Sequence, residues 1–412
     1  MSNRTPALSF IFITMLIDMI GLGIIIPVMP GLIVELSGIP PETPHLMAYA
    51  AMIGMWLTIS YSGMQFFCAP VLGGLSDRFG RRPVLLAALF GLGVDYVFLA
   101  FAPTLGWLFA GRIFAGMMGA SFSAAGAYIA DISTPEKRAQ NFGLIGAAFG
   151  LGFILGPLLG GWLGTYGLRV PFMVCAGLSL LNCLFGLFVL PESLKPENRR
   201  TFDWKRANPV GAFKSFSRYP VILGLIFALF LIYISAHAVQ SNWSFFVIEK
   251  FHWSTLQIGI SLGVVGVAFA VIQGGLIRII IPKLGQHRSV YFGLALYALG
   301  FLCYGIAPYG WMMYPAIIIY CFGSIAGPAI QGITSTIVPP NEQGELQGGF
   351  TSMASLAAII GPLLMGGIFY WFSGAKAPVY FPGAAMVFGA MLTVISALLA
   401  RNTLKKHIVK TI

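Results

Sequence analysis

Residues 154–161 read ILGPLLGG, and residues 359–367 read IIGPLLMGG. Each copy lies in a long apolar stretch, and the two are separated by half the length of the 412-residue chain. A proline precedes both copies at the same offset, and a glutamate follows it closely in each, as Pro-Glu at 135–136 and Pro-Asn-Glu at 340–342. Two matches in the same register predict that the chain consists of two related halves with the same orientation.

The composition excludes a soluble globular protein. Hydrophobic residues make up 58% of the chain and charged residues only 9%, and the mean hydropathy is +0.86. Soluble domains carry roughly a quarter charged residues. The apolar runs are long and unbroken, which favours membrane-spanning helices over barrel strands. At about 20 residues for each helix, there is material for roughly a dozen spans. We therefore predict an all-α membrane protein.

The hydropathy pattern predicts twelve transmembrane helices in two pseudo-symmetric six-helix bundles. The predicted spans are residues 8–34, 46–71, 84–102, 107–130, 141–165, 171–190, 220–246, 256–281, 289–307, 311–337, 347–372 and 380–400. An even number of spans places both termini on one side of the membrane. All but four of the 24 basic residues then share that side, so the positive-inside rule makes it cytoplasmic. This sorting accounts for the net charge of +11 and argues against a nucleic-acid partner.

A long polar stretch near the midpoint divides the chain into two domains. We predict an N-terminal six-helix bundle over 1–190, a cytoplasmic linker over 191–219 and a C-terminal six-helix bundle over 220–412. The linker contains Phe202 and Trp204 among basic residues. It is either a helix lying along the inner membrane face or a solvated loop, and the sequence leaves both open.

Three charged residues lie at least five residues from either end of a predicted span, all of them in the N-terminal half. They are Asp18 in span 1, Asp95 in span 3 and Arg112 in span 4. Each costs roughly 2.5–3.5 kcal/mol on insertion scales, so such a residue is a functional candidate. One interpretation is a structural ion pair between the arginine and an aspartate. The other, which we favour, is that a carboxylate binds and releases a proton during transport.

The short segment 73–83, GGLSDRFGRRP, is predicted to be the loop between spans 2 and 3. Its arginines suit the positive-inside rule, but its acid, Asp77, adds nothing to orientation. We therefore expect Asp77 to contact another group.

Small residues recur at every fourth position in span 5, which is a device for close helix packing, and a proline among them predicts a kink. The repeat extends this assignment to span 11. The helix-packing candidates are Gly152, Gly156, Pro157, Gly160, Gly361 and Pro362.

Uncharged polar and aromatic residues in or near the spans are candidates for contacting a ligand. Gln65 belongs to a narrow polar stripe on span 2. A cavity lined by amides and rings would suit an amphipathic, planar compound. Each such residue has an alternative role as an interhelical hydrogen bond or an interfacial aromatic. The C-terminal candidates are Gln240, Asn242, Trp243, Gln273, Tyr297, Gln331 and Gln347.

These motifs together resemble the major facilitator superfamily, and within it the twelve-span proton-coupled drug antiporters, most closely the tetracycline-resistance efflux family. The motifs are GGLSDRFGRRPV (73–84) between spans 2 and 3, GRIFAGMMGA (111–120) in span 4 and GFILGPLLGG (152–161) in span 5. LIDMIGLGIIIPVMP (16–30) and GVDYVFLAFAP (93–103) are similar to spans 1 and 3 of the tetracycline family.

The resemblance implies roles for individual residues. Asp18 and Asp95 match carboxylates tied to coupling or substrate, Arg112 matches an arginine that aids proton transfer, and Gln65 matches a glutamine of the binding cavity. The gating residues implied by the loop signature are Asp77, Arg78, Gly80 and Arg81.

The chain also departs from the tetracycline exporters. They have an acidic residue in span 9, in the stretch that reads YFGLALY here (291–297), and a histidine in span 8 near Phe269. Because this chain has neither, tetracycline–metal recognition does not follow from the resemblance.

The sequence thus predicts a secondary active transporter that exports small amphipathic compounds in exchange for protons by alternating access. The alternative is an exporter of an endogenous metabolite, a siderophore or a lipid on the same fold. We predict no enzymatic activity, because no catalytic motif is present, and no cofactor or bound metal. The expected partners are the substrate, protons and the lipid bilayer, and the expected form is a monomer in a bacterial inner membrane.

Overall fold

The structure is a computed structural model that describes the chain apart from residues 1–3, 41–42, 120, 133–134, 195, 200–219, 338–342 and 412. All of the regular secondary structure in this described part is helical. The prediction of an all-α protein is confirmed.

The described part of the N-terminal half contains seven α-helices, and they form six spans because span 4 consists of two helices, the first of which ends before Gly119. The helices are α1 (Arg4–Ser37), α2 (Leu46–Phe79), α3 (Arg81–Phe101), α4 (Leu105–Met118), α5 (Ser121–Ile132), α6 (Pro135–Leu163) and α7 (Val170–Val189).

The C-terminal half also forms six spans, three of which are interrupted. Span 7 is Pro220–Gln240 followed by Trp243–Phe251, and span 10 is Met313–Gly323 followed by Ala326–Ile337. Span 8 runs from Thr255–Val271 through a π-helical turn, Ile272–Leu276, into Ile277–Leu284. Spans 9, 11 and 12 are the helices Gln286–Ile306, Gln343–Ser373 and Ala384–Thr411.

The helices are long and apolar enough for a membrane protein. Among the described residues, nine helical segments meet the length and hydropathy needed to cross a bilayer on their own. The other three predicted spans, numbers 2, 4 and 5, coincide with α2, with α4 and α5 together, and with α6. Large apolar side chains point outward, as shown by Phe188, which is 82% exposed. Such a surface is suited to lipid.

The prediction of a loop between spans 2 and 3 needs correction at residues 73–79. These residues form the last two turns of α2, and only Gly80 separates α2 from α3. Gly80 has a φ of 109°, a conformation that side chains disfavour. Its N–H donates to the carbonyl of Ser76 at 3.1 Å, so the chain turns within a single residue.

Contacts divide the chain into two compact units. Unit 1 contains Met1–Ile39, Ser60–Pro209 and Ser254–Gly263. Unit 2 contains Pro40–Ile59, Val210–Trp253 and Val264–Ile412. The first part of α2 therefore clusters with unit 2, and the first part of span 8 clusters with unit 1.

In unit 1, α1 and α6 lie backbone to backbone along the glycines of span 5. A Cβ atom added to Gly156 would be 2.7 Å from the carbonyl oxygen of Ile20, and one added to Gly160 would be 2.5 Å from that of Ile24. Neither distance leaves room for a side chain.

One end of unit 1 holds its apolar core. Side chains from α1, α3, α5, α6 and α7 pack together there, and they include Phe10, Met15, Leu85, Leu89 and Tyr128. This core holds fixed the helix ends that carry the charged cluster described below.

Candidate functional site

A buried ion pair joins α3 to α4 inside unit 1. An Nη2–H of Arg112 donates to Oδ2 of Asp95, and the two residues are 8% and 0% exposed. Gly111 makes this approach possible, because a Cβ atom there would lie 2.9 Å from the other carboxylate oxygen of Asp95. The structure thus brings together two of the three charged residues predicted within the membrane.

The third charged residue, Asp18, lies on α1 and is 4% exposed. It is close enough to the Tyr61 and Tyr96 hydroxyls to interact with them electrostatically. Gly21, one turn further along α1, lies against the Tyr96 hydroxyl, where an added Cβ atom would overlap it. Asp18 therefore belongs to the same polar centre of unit 1 as the ion pair.

Tyr61 on α2 is the residue shared by the two charged groups. The guanidinium carbon of Arg112 lies 5.7 Å from the centre of the Tyr61 ring, within the range of a cation–π interaction. The charge of Asp18 acts on the same tyrosine. Sequence analysis missed Tyr61, although it lies one turn before Gln65 on the polar stripe of span 2.

Gln65 supports the break in span 4. Its Nε2–H donates to the carbonyl oxygen of Gly119 at 2.9 Å, and the same nitrogen is 3.4 Å from the Tyr61 hydroxyl. Gly119 follows the last residue of α4, where a helix leaves carbonyl groups without intrahelical partners. The predicted contact of Gln65 with substrate stays a prediction.

A second charged cluster lies where α2 ends and α3 begins. Arg81 contacts Asp77 at 2.6 Å and Asp131, at the end of α5, at 3.1 Å. It also donates to the Ser76 hydroxyl at 3.0 Å. The group that Asp77 contacts is therefore the guanidinium of Arg81. Arg78 is exposed and lies over the ring of Phe79 at 5.1 Å.

The start of α3 is capped by a residue far along the chain. The Glu192 carboxylate accepts the backbone N–H groups of Arg81 at 2.8 Å and Arg82 at 3.2 Å. The Asp131 carboxylate also accepts the Ser193 hydroxyl at 3.1 Å, which links the cap to the charged cluster. Sequence analysis missed Asp131 and Glu192. Their signal is that each is an acid within two residues of the end of a predicted span, in a flank that also carries basic residues.

Two of the C-terminal candidates are part of an aromatic cluster in unit 2. Trp243 is 1% exposed, and its ring lies 5.0 Å from that of Tyr304. Tyr297 is also buried, with its ring 4.9 Å from that of Tyr320. Rings at such distances contribute to the packing of a core.

The other C-terminal candidates occupy different environments. Asn242 is buried at the interruption of span 7, and Gln240 just before it is exposed. Gln273 is exposed on the π-helical turn of span 8, a feature that often marks functional sites. Gln331 is half-buried and lies near Tyr233.

Two further predictions fall outside the part of the chain that the structure describes. The side chain of Gln347 is one, and the linker from residue 200 to 219, with its choice between helix and loop, is the other.

Sequence analysis also missed an ionisable residue within span 7. His237 lies against span 11 at the repeated glycine motif, where a Cβ atom added to Gly361 would be 2.6 Å from the imidazole Cγ. Its Nδ1 is 3.2 Å from the Ser241 hydroxyl. Histidine can be neutral at ordinary pH, so it does not stand out among the charged residues of the spans. A histidine in an apolar run is also a signal.

The described residues contain no group of three or more histidine, cysteine, aspartate or glutamate residues that could hold a metal ion. The polar centre of unit 1 is instead built from carboxylates, a guanidinium and phenols.

Buried opposite charges within a bundle of apolar helices are typical of membrane proteins that move ions or substrates, a class that includes the multi-pass transporters. The chain belongs to the Major Facilitator Superfamily, whose family description matches residues 11–327 and 282–410. It is a transporter and not an enzyme.

Two bacterial relatives illustrate the similarity. The chain is 39% identical to the class C tetracycline resistance protein of Escherichia coli, over 94% of each chain. It is 32% identical to the class H tetracycline resistance protein of Pasteurella multocida, over 97% of this chain and 98% of that one. The resemblance found in the motifs is confirmed over nearly the whole length.

Solved structures share the fold. The human organic anion transporter MFSD10 (TETRAN) superposes with a TM-score of 0.71 at 24% identity, covering 97% of this chain and 100% of that one. A bacterial homologue of the human lysosomal transporter Spinster superposes with a TM-score of 0.75 at 16% identity, covering 98% of both. Twelve spans in two bundles agree with this fold.

Proposed function

We propose that the protein is a secondary transporter that exports small amphipathic compounds of the tetracycline or drug type in exchange for protons. The buried Asp95–Arg112 pair is the observation that carries the proposal, because it places a carboxylate and its counter-ion inside the membrane. The relatives named as tetracycline resistance proteins support export of such compounds.

In the proton step, a proton from the outer solution adds to the carboxylate of Asp95 or Asp18. The acquired proton neutralises the carboxylate, so the Asp95–Arg112 ion pair is lost when Asp95 is the acceptor. A buried pair is stable only while both charges are present, so protonation changes which conformation is favoured. Release of the proton to the cytoplasm restores the pair and resets the cycle.

The charged cluster of Asp77, Arg81 and Asp131 serves as a conformational latch in this proposal. Its contacts of 2.6 and 3.1 Å tie the end of α2 to the end of α5. The segments predicted to lie on the same side of the membrane as this cluster carry most of the basic residues, which supports a cytoplasmic position for the cluster. Opening of the latch would accompany access to the substrate from the cytoplasm.

The same proposal covers location and partners. The protein lies in the inner membrane of a bacterium with both termini in the cytoplasm, and it works as a monomer without a cofactor. The proton gradient supplies the driving force, and the substrate, protons and lipid are its partners.

The experiment is transport by the purified protein in proteoliposomes with an imposed pH gradient. Tetracycline and a planar fluorescent dye are offered separately, and Glu197→Gln is the control because Glu197 is an exposed acid. The proposal predicts uphill movement of at least one compound that collapses when an ionophore removes the gradient. Movement of neither compound, with the protein folded, would overturn drug export.

A further inference from the structure

Protonation of Asp95 leaves the buried Arg112 cation without the negative charge that balances it in the ion pair. Arg112 is only 8% exposed, and the carboxylate that pairs with its guanidinium belongs to Asp95. An unpaired buried cation is far more costly than a paired one. The protonated state of the transporter therefore needs a second group that stabilises Arg112.

The Tyr61 ring is placed to do this. It lies 5.7 Å from the Arg112 guanidinium in the ion-paired state. The face of an aromatic ring attracts a cation, and the attraction grows when the cation is shielded from water. Loss of the Asp95 charge would leave the ring as a neighbouring attractive surface for the guanidinium.

The hydroxyl end of Tyr61 is linked to the break in span 4. It lies 3.4 Å from Nε2 of Gln65, whose N–H also donates to the Gly119 carbonyl at 2.9 Å. Gly119 directly follows the last residue of α4 and is seven residues after Arg112, so it lies about two helical turns along the chain from Arg112.

Close packing makes this link stiff. A Cβ atom added to Gly116 would overlap the backbone of Tyr61 and lie 2.8 Å from Cβ of Met64. One added to Gly119 would be 2.8 Å from Nε2 of Gln65. Helices α2 and α4 therefore touch along this segment. Because the packing is close, a displacement of Tyr61 also displaces the end of α4.

We propose that Tyr61 is a positioning residue that holds Arg112 when Asp95 takes up a proton and, through Gln65, ties that state to the break between α4 and α5. This inference rests on the proposed proton coupling and adds the group that stabilises the protonated state.

The test is the pH profile of transport in three variants. Tyr61→Leu removes the ring, Tyr61→Phe keeps the ring and removes the hydroxyl, and Tyr166→Leu alters an exposed tyrosine of unit 1 as a control. Without the ring, protonation of Asp95 becomes harder, so the midpoint of proton-driven transport moves to lower pH. A cation–π interaction of ordinary strength corresponds to a shift of about half to one pH unit.

The two parts of Tyr61 have separable expected effects. Tyr61→Phe should keep the wild-type midpoint within about 0.2 pH units, since the ring is present, while its maximal rate falls several-fold because the contact with Gln65 is lost. Tyr166→Leu should match the wild type in both respects.

A second measurement does not depend on turnover. The carboxyl stretching band that disappears in Asp95→Asn is titrated by infrared spectroscopy in the wild type and in Tyr61→Leu. In Tyr61→Leu, the pH at which this band titrates should move down by the same amount as the midpoint of transport. A band that titrates at one pH in both proteins overturns the inference about Tyr61. A wild type whose transport does not respond to a pH gradient overturns the proposed function instead.

Discussion

The Asp95 carboxylate and the Arg112 guanidinium form an ion pair between α3 and α4 in which both side chains are buried. Apolar residues of similar size would hold two helices together at least as well, because removing two charges from water costs as much as their attraction returns. The pair is therefore better explained by a state in which one charge is neutralised than by stability.

Asp95→Asn should destabilise the folded protein and abolish proton-driven transport. The variant leaves Arg112 buried without its ion-pair partner, which costs about 3–5 kcal/mol in comparable pairs. Thermal unfolding in detergent measures the first effect, and transport in proteoliposomes measures the second.

The double variant Asp95→Asn/Arg112→Gln separates folding from coupling. Removing both charges should recover more than half of the lost stability, while coupled transport stays absent. A single Asp95→Asn variant that unfolds like the wild type and still transports against a gradient would contradict the role given to the pair.

Asp77→Asn should slow turnover without weakening substrate binding. Arg81 loses one of its two carboxylate partners in this variant and keeps Asp131. The expected result is a several-fold lower rate with an unchanged Kd, measured by transport and by equilibrium dye binding. Glu197→Gln is the matched control, and an unchanged rate in Asp77→Asn would remove the latch from the mechanism.

Glu192→Ala should destabilise the start of α3. The variant removes the acceptor for the N–H groups of Arg81 and Arg82, and loss of a helix cap typically costs about 1 kcal/mol. A lower melting temperature in detergent is the expected observation. Glu197→Ala, at an exposed position on the same segment, should leave the melting temperature unchanged, and equal melting of both variants would mean that the cap contributes nothing.

Gly156→Ala should weaken the contact between α1 and α6, whereas Gly150→Ala on the same helix should be tolerated. The new Cβ atom would lie 2.7 Å from the Ile20 carbonyl at the first position and would meet nothing within 4 Å at the second. Overpacking of this kind costs about 1–3 kcal/mol. Comparable melting of the two variants would show that α1 can move away without cost.

The fold was predictable from the sequence because membrane helices must satisfy their own backbone hydrogen bonds and therefore leave long apolar runs. Helix interruptions were not predictable at this level. The break after Met118 and the π-helical turn at Ile272–Leu276 occur inside continuous apolar stretches, where hydropathy carries no information on backbone geometry.

The candidate site was predictable in its charges but not in its connections. Asp95 and Arg112 stood out because charge is rare in the membrane, and the structure pairs them. Tyr61, which faces Arg112, and Glu192, which caps α3, did not stand out in the sequence. A tyrosine in a membrane span is common, and so is a glutamate in a loop. Their importance comes from residues that are distant in the sequence.

Proton movement driven by substrate is the most direct test of the central claim. Proteoliposomes containing a pH-sensitive dye are given an outward gradient of a transported compound and no initial pH gradient. Exchange predicts proton flow against the direction of the compound in the wild type and none in Asp95→Asn, since coupling is reciprocal. Compound efflux without proton flow in the wild type would contradict proton exchange, and equal proton flow in both proteins would contradict the role given to Asp95.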